Sequence, residues 1–132
     1  MTLRDRDIKL GNILIETGSD VPHARVIDVG CDALVRKGYY YYYSGTVLKD
    51  PPEWFMFREY KASPTSVWQL GALLCDLLDH KCSFTTPMYL DEGFKINSNP
   101  SIDCQDFLQM CLSKDPERRA TLEQLQLHPW LR

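Results

Sequence analysis

The sequence is poor in closely spaced glycines. Its 132 residues contain seven glycines, and no two of them lie closer than seven positions apart. The loops Gly-x-Gly-x-x-Gly and Gly-x-x-x-x-Gly-Lys-Ser/Thr, which hold the phosphates of nucleotides, are therefore excluded from this chain. The glycines are Gly11, Gly18, Gly30, Gly38, Gly45, Gly71 and Gly93.

The chain also lacks the cysteine patterns of disulfide-rich and zinc-binding proteins. Its five cysteines are an odd number, and none of them forms a Cys-x-x-Cys pair. Cys75, Cys104 and Cys111 lie among apolar residues, so we expect them to be buried thiols. Such thiols indicate a reducing compartment, and we expect a cytoplasmic or nuclear protein.

Long apolar runs and an excess of basic residues are absent as well. The longest stretch without a charged residue, 62–75, is too short to span a bilayer. The charged residues at 4–7 are not those of a secretory signal. With 15 basic and 18 acidic residues the net charge is −3. We therefore expect neither nucleic acid nor a membrane as a partner.

Two short strands are predicted in the first part of the chain. Residues 13–16 and 25–27 have strand character and are joined by a loop over 17–24 that contains Gly, Asp and Pro. Residues 28–52 show no helical period and include five consecutive tyrosines. This second stretch is predicted to be a long functional or disordered loop.

Helical patterns begin at Pro64. The first is apolar almost all round, which predicts a buried helix. Ser101 is predicted to cap a second helix, and residues 121–124 form a capping box that opens a short last helix. The apolar positions are Val67, Trp68, Leu70, Leu73, Leu74, Leu77 and Leu78 in the first pattern and Ile102, Phe107, Leu108, Cys111 and Leu112 in the second.

A compact set of polar residues lies next to the predicted strands. Asp7, Lys9 and Asn12 precede the first strand, and Asp28 follows the second. Either group alone is a common turn composition. Their order and spacing together fit the template of phosphoryl transfer, in which one Asp accepts the proton of a substrate hydroxyl while an Asn and a second Asp hold magnesium.

Further motifs follow these polar residues along the chain. They are Gly45-Thr46, Pro51-Pro52-Glu53-Trp54, Val67-Trp68-Gln69-Leu70-Gly71, Arg119-Ala120-Thr121 and His128-Pro129-Trp130. Together with the polar set, they resemble the C-terminal lobe of a serine/threonine protein kinase, from the catalytic loop to the last helix. The combination is most similar to the PIM group.

The resemblance implies an α+β, mainly α fold. It is that of a protein-kinase-like large lobe, truncated and lacking the N-terminal lobe. Residues 1–132 would then form one partial kinase domain. Within it we expect the catalytic loop at 5–12, the activation segment at 28–53 and a helical remainder at 64–132.

The resemblance also assigns roles to the polar set. Asp7 would orient the attacking hydroxyl, and Lys9 would contact the transferred phosphate of ATP. With a lysine at this place, the motif resembles that of serine/threonine kinases rather than that of tyrosine kinases. Asn12 and Asp28 would ligate Mg²⁺ and so help to bind the nucleotide, which makes ATP and Mg²⁺ the expected cofactors.

Four residues outside the polar set receive roles in the same way. Thr46 and Asp76 would help to bind the substrate. Glu53 and Arg119 would form a buried ion pair with a structural role.

The chain departs from the family pattern at several places. Asp5 stands where the family usually has His, and Val29 replaces a Phe that packs in the active arrangement. Gly11 and Lys81 lie where PIM-type enzymes tend to carry acids that bind substrate arginines. Asp76 is retained in that region, so a preference for basic peptides is weakened rather than excluded.

These features lead to a family-level hypothesis with alternatives. We expect a serine/threonine kinase that transfers the γ-phosphate of ATP to protein hydroxyls, acting as a monomer on protein substrates that include basic peptides. The isolated chain is expected to be inactive, because the phosphate loop and its lysine are missing. The alternatives are a non-catalytic, pseudokinase-like interaction module and an incomplete gene product.

Overall fold

The structure is a computed structural model that describes residues 3–4, 13–26, 33–34, 39, 47–79, 81, 83–93, 96 and 99–131. Within these residues the structure is mainly helical with two small sheets, which confirms the predicted α+β, mainly α class. The elements in chain order are β1 (Leu3–Arg4), β2 (Ile13–Glu16), β3 (His23–Val26), β4 (Ala33–Leu34), a 3-10 turn (Val47–Lys49), α1 (Pro52–Phe57), α2 (Ala62–Leu78), α3 (Thr86–Glu92), α4 (Ile102–Cys111), α5 (Leu122–Gln126) and a last 3-10 turn (Pro129–Leu131).

Two antiparallel pairs form the sheets, β1 with β4 and β2 with β3. In the β2–β3 hairpin Ile13 lies opposite Val26, and Glu16 lies opposite His23. The first strand was predicted correctly. The second begins two residues before the predicted range 25–27, because its pairing with β2 continues up to Glu16; residue 27 lies outside the described residues.

Helix α2 is the centre of the helical part. It begins at Ala62, so the predicted start at Pro64 was two residues late. Pro64 is accommodated because it lies in the first turn, where the N–H groups have no partner within the helix. The helix is not buried all round as predicted: Trp68 is fully buried, but Leu77 is 47% exposed.

The core lies where α2 packs against α4. Trp68, Leu108 and Leu112 are buried there. Gly71 allows the close approach, since a Cβ atom at this position would lie only 2.8 Å from the Cβ atom of Cys111 and from Cδ2 of Leu112. This contact requires a glycine in the middle of a helix, where glycine is otherwise unfavourable.

The predicted helix caps are present. The Ser101 hydroxyl accepts the N–H of Cys104 at 3.1 Å. In the capping box, Thr121 Oγ1 accepts the N–H of Gln124 at 3.2 Å, and the N–H of Thr121 donates to Gln124 Oε1 at 2.9 Å. Ile102, which was counted among the apolar positions of this helix, is 84% exposed, because it begins α4 on the solvent side.

None of the helices in the described parts of the chain is long and apolar enough to cross a membrane.

Candidate functional site

Both predicted catalytic residues, and most of the predicted metal and substrate residues, lie outside the part of the chain that the structure describes. These are Asp7, Lys9, Asn12, Asp28 and Thr46. Their roles stay predictions. The structure does describe the hairpin between Asn12 and Asp28, the segment after Thr46 and the helices that follow.

The predicted ion pair of Glu53 and Arg119 is present and buried. Arg119 Nη1 donates to Glu53 Oε2 at 2.9 Å, and Nη2 donates to Oε1 at 2.9 Å. This bidentate geometry matches the planar guanidinium to the planar carboxylate, which makes it stronger than a single hydrogen bond. It joins the start of α1 to the loop before α5.

Arg119 has further partners that satisfy its donors. Its Nε donates to the carbonyl of Ser113 at 3.0 Å, and Nη1 also donates to the carbonyl of Pro64 at 2.9 Å. The guanidinium carbon lies 5.1 Å from the centre of the Trp68 ring. Arg119 therefore connects α1, α2 and the loop after α4 at one point.

Asp76, predicted to bind substrate, is occupied by partners within the chain. Lys49 Nζ lies 2.5 Å from Asp76 Oδ2, and the N–H of Phe84 donates to Oδ1 at 2.7 Å. Lys49 also donates to the carbonyl of Phe84 at 3.1 Å. These contacts give Asp76 a structural role, and its binding of substrate stays a prediction. Sequence reasoning missed Lys49, because no local pattern links it to a residue 27 positions away.

Asp50 is a buried carboxylate that the sequence did not single out. Its carbonyl accepts the hydroxyl of Thr86 at 2.6 Å. Its side-chain oxygen Oδ1 has no hydrogen-bond partner in the structure as described. Burial raises the pKa of Asp50 from 3.8 to about 7, although the positive charge of Arg58 acts in the opposite direction.

The three thiols predicted to be buried are buried and free. Burial raises the pKa of both Cys75 and Cys111 to about 12, and it also raises the pKa of Cys104. Because a thiolate is the reactive form, these cysteines are protonated and unreactive in the folded protein.

His128 in the closing motif is a buried structural residue. Its Nδ1 accepts the N–H of Trp130 at 3.1 Å, and its Nε2 lies 2.7 Å from Oδ2 of Asp106. Nδ1 is therefore unprotonated, and Nε2 carries the hydrogen that Asp106 accepts. Among the described residues, no cluster of His, Cys, Asp and Glu is suited to hold a metal ion.

The likeness of this chain to a known protein family covers almost its whole length. The family model described as the protein kinase domain matches residues 2–131. This chain belongs to the protein-kinase family. The predicted resemblance is thereby confirmed over nearly the whole chain.

Individual relatives of this chain are named serine/threonine-protein kinases. The chain is 36% identical over 127 residues to the serine/threonine-protein kinase pim-2 of Danio rerio, covering 96% of this chain and 40% of that protein. It is 33% identical over 134 residues to the serine/threonine-protein kinase prk-2 of Caenorhabditis elegans, covering 96% of this chain and 30% of that protein. This kinase chain thus spans less than half the length of these relatives.

Proposed function

We propose that this chain carries the phosphoryl-transfer residues of a serine/threonine protein kinase. The reaction moves the γ-phosphate of ATP to a serine or threonine hydroxyl of a protein. In this proposal Asp7 accepts the proton of the attacking hydroxyl, and Lys9 donates to the transferred phosphate. Family membership supports this class of reaction. We further propose that it takes place in the cytoplasm or nucleus.

The observation that carries the proposal is the register of the β2–β3 hairpin. Ile13 and Val26 lie opposite each other at its open end. Asn12 directly precedes Ile13, and Asp28 follows Val26 by two residues. We propose that Asn12 and Asp28, which adjoin these paired strands in the sequence, bind one Mg²⁺ ion.

The residue types also fit magnesium. A carboxylate and an amide oxygen are hard donors of the kind that Mg²⁺ prefers. When bound, Mg²⁺ would neutralise negative charge on the phosphates. The chain contains no glycine-rich phosphate loop, and we therefore propose that the 132 residues alone bind nucleotide weakly and are inactive.

The substrate side of the proposal rests on the segment around Lys49. Thr46 directly precedes the turn Val47–Lys49, which the contact of Lys49 with Asp76 attaches to α2. This attachment supports a role of Thr46 in holding the substrate. Since Lys49 already neutralises Asp76, a basic residue of the substrate would have to displace it.

Nucleotide binding is tested by thermal unfolding of the chain with and without MgATP. A ligand at a hundred times its Kd stabilises a folded domain by about 2.7 kcal/mol. We expect MgATP to stabilise the wild type by less than this amount, seen as a small rise in its unfolding temperature. The unfolding temperature of Asp28→Asn should not change. Equal shifts in the two proteins would contradict the role of Asp28.

Phosphoryl transfer is tested after the chain is joined to the N-terminal lobe of a serine/threonine protein kinase. We expect transfer from labelled ATP to a peptide hydroxyl, and a loss of at least about 100-fold in Asp7→Asn. Asp91→Asn removes one negative charge in the same way at an exposed position, and it is the matched control. A fusion that unfolds cooperatively but transfers no phosphate would overturn the proposal.

A second candidate function is a non-catalytic interaction module. Met56 and Phe57 at the end of α1 are 68% and 65% exposed. Adjacent large apolar side chains on a surface favour contact with another protein. A chain that folds and binds peptides but shows no response to MgATP would support this alternative.

A further inference from the structure

A groove of about 280 Å³ lies between the end of α1 and the loop that joins α4 to α5. Phe57, Tyr60 and Pro116 form apolar walls, and the ring of Tyr39 lies at the same groove. Of the predicted site residues that the structure describes, Glu53 lines the groove, while Asp76 and Arg119 are not among its lining residues.

The two sides of the groove are held in place by internal contacts. The carbonyl of Asp115 accepts the N–H of Arg119 at 3.0 Å, and Arg119 is paired with Glu53 on the α1 side. Asp115 Oδ1 accepts the N–H of Glu117 at 2.9 Å. Arg58 has a left-handed backbone conformation, with a φ of 55°, and ends α1. The next residues in the chain line the groove. The groove is therefore formed before any ligand arrives.

The charges at the groove are mostly negative. Asp115 pairs with Arg118 at 3.7 Å, and Glu117 pairs with Lys61 at 3.7 Å. Glu59 also lines the groove and is partly buried. It has no ion-pair or hydrogen-bond partner within the described ranges.

The position of Arg58 does not change this balance. Its guanidinium carbon lies 5.6 Å from the centre of the Trp54 ring, and Arg58 is not among the lining residues. Among the described residues, Glu59 therefore leaves one negative charge uncompensated in a groove with aromatic walls.

The combination of a carboxylate and aromatic rings fits a cation with an apolar stem. Lys61 Nζ already lies 4.9 Å from the centre of the Tyr39 ring, so a ring at this groove does accept a cation. A guanidinium group stacks on aromatic rings and binds a carboxylate through two parallel hydrogen bonds. Its alkyl stem can cover the apolar wall.

We propose that this groove binds an arginine side chain of a partner peptide, with Glu59 as its counter-ion. The aromatic walls contact the stem and the face of the guanidinium, and Glu59 accepts its hydrogen bonds. Binding at this docking site does not require nucleotide, so it is tested independently of the proposed phosphoryl transfer.

The test uses a fluorescein-labelled peptide with one arginine between two leucines and a second peptide with citrulline in its place. Citrulline has nearly the same shape but no charge. Anisotropy titration with the 132-residue chain should show tighter binding of the arginine peptide. We expect Glu59→Gln to weaken that binding about five-fold and Asp91→Asn to leave it unchanged.

Two results would overturn the proposal. One is equal binding of the arginine and citrulline peptides, including no binding of either. The other is an unchanged arginine preference in Glu59→Gln. Because Glu59 has no ion-pair or hydrogen-bond partner in the part of the chain that the structure describes, this variant should unfold at the wild-type temperature. That measurement excludes misfolding as the cause of weaker binding.

The location of binding is checked by amide chemical shifts. The arginine peptide should shift the amides of residues 57–61, 115 and 117, and shifts confined to other regions would contradict the proposal. All these measurements are made without ATP. Their failure is therefore distinct from a failure of phosphoryl transfer.

Discussion

Glu53 and Arg119 are 66 positions apart in the chain and meet in a buried, bidentate ion pair. Glu53 belongs to the first turn of α1, and Arg119 lies in the loop before α5. The pair thus fixes the end of the predicted activation segment to the helical core. It also supports one side of the groove that contains Glu59.

Replacement of Arg119 should be strongly destabilising. In Arg119→Met the buried Glu53 carboxylate loses its partner, so we expect the free energy of unfolding to fall by about 3–5 kcal/mol. Urea unfolding measures this loss. The neighbouring Arg118 has an 85% exposed side chain, and Arg118→Met should cost no more than about 0.5 kcal/mol. Equal losses in the two variants would contradict the structural role of Arg119.

Gly71→Ala should destabilise the protein even though alanine is the better helix former. The added Cβ atom would clash with Cys111 and Leu112 in the core. We expect a net loss of about 1–3 kcal/mol in unfolding free energy. Gly18→Ala is the control, because a Cβ atom there meets nothing within 4 Å. A Gly71→Ala protein as stable as the wild type would show that α2 and α4 can move apart without cost.

Asp50 should make stability depend on pH. Its pKa is raised from 3.8 in the unfolded chain to about 7 in the folded protein. Its contribution is therefore fully present below pH 3.8 and is lost as the pH rises through 7, by roughly 4 kcal/mol in total. Unfolding measured between pH 4 and pH 8 should show this slope in the wild type and in Asp91→Asn. The slope should be much smaller in Asp50→Asn, and an unchanged slope there would assign the effect to another group.

Lys49→Met should loosen the turn before α1. The change leaves Asp76 with the N–H of Phe84 but without its cation. Both side chains are partly exposed, so we expect a loss of only about 1–2 kcal/mol in unfolding free energy. Hydrogen exchange should be faster at the amides of residues 47–50. Lys114→Met, at an exposed position, is the control and should leave these exchange rates unchanged.

Local features of this fold were predictable from the sequence. The caps at Ser101 and Thr121 depend on residues three positions apart, and both are present. The first strand was also predicted correctly, because its pattern lies in consecutive residues. The start of α2 was predicted two residues late. Pro64 was interpreted as the first helical residue, but a proline is also tolerated at the later positions of the first turn. Ile102 fits the apolar spacing of α4, but its burial depends on which elements lie nearby.

Long-range features could not be derived from pattern alone. The pair of Glu53 and Arg119 was expected through the family resemblance rather than through spacing. The contact of Lys49 with Asp76 has no counterpart in that expectation, since Asp76 was assigned to substrate binding and Lys49 looks like an ordinary surface charge in sequence. The groove at Glu59 is assembled from three separate parts of the chain, and only the three-dimensional structure brings them together.

The buried thiols of Cys75, Cys104 and Cys111 make the chain a reporter of its own unfolding. Alkylating reagents modify thiolates, and in the folded state these groups are neither accessible nor ionised. Each opening of the core exposes thiols that can be capped irreversibly and counted by mass. A short pulse of reagent would therefore record how often the contact of α2 with α4 breaks, without any added label.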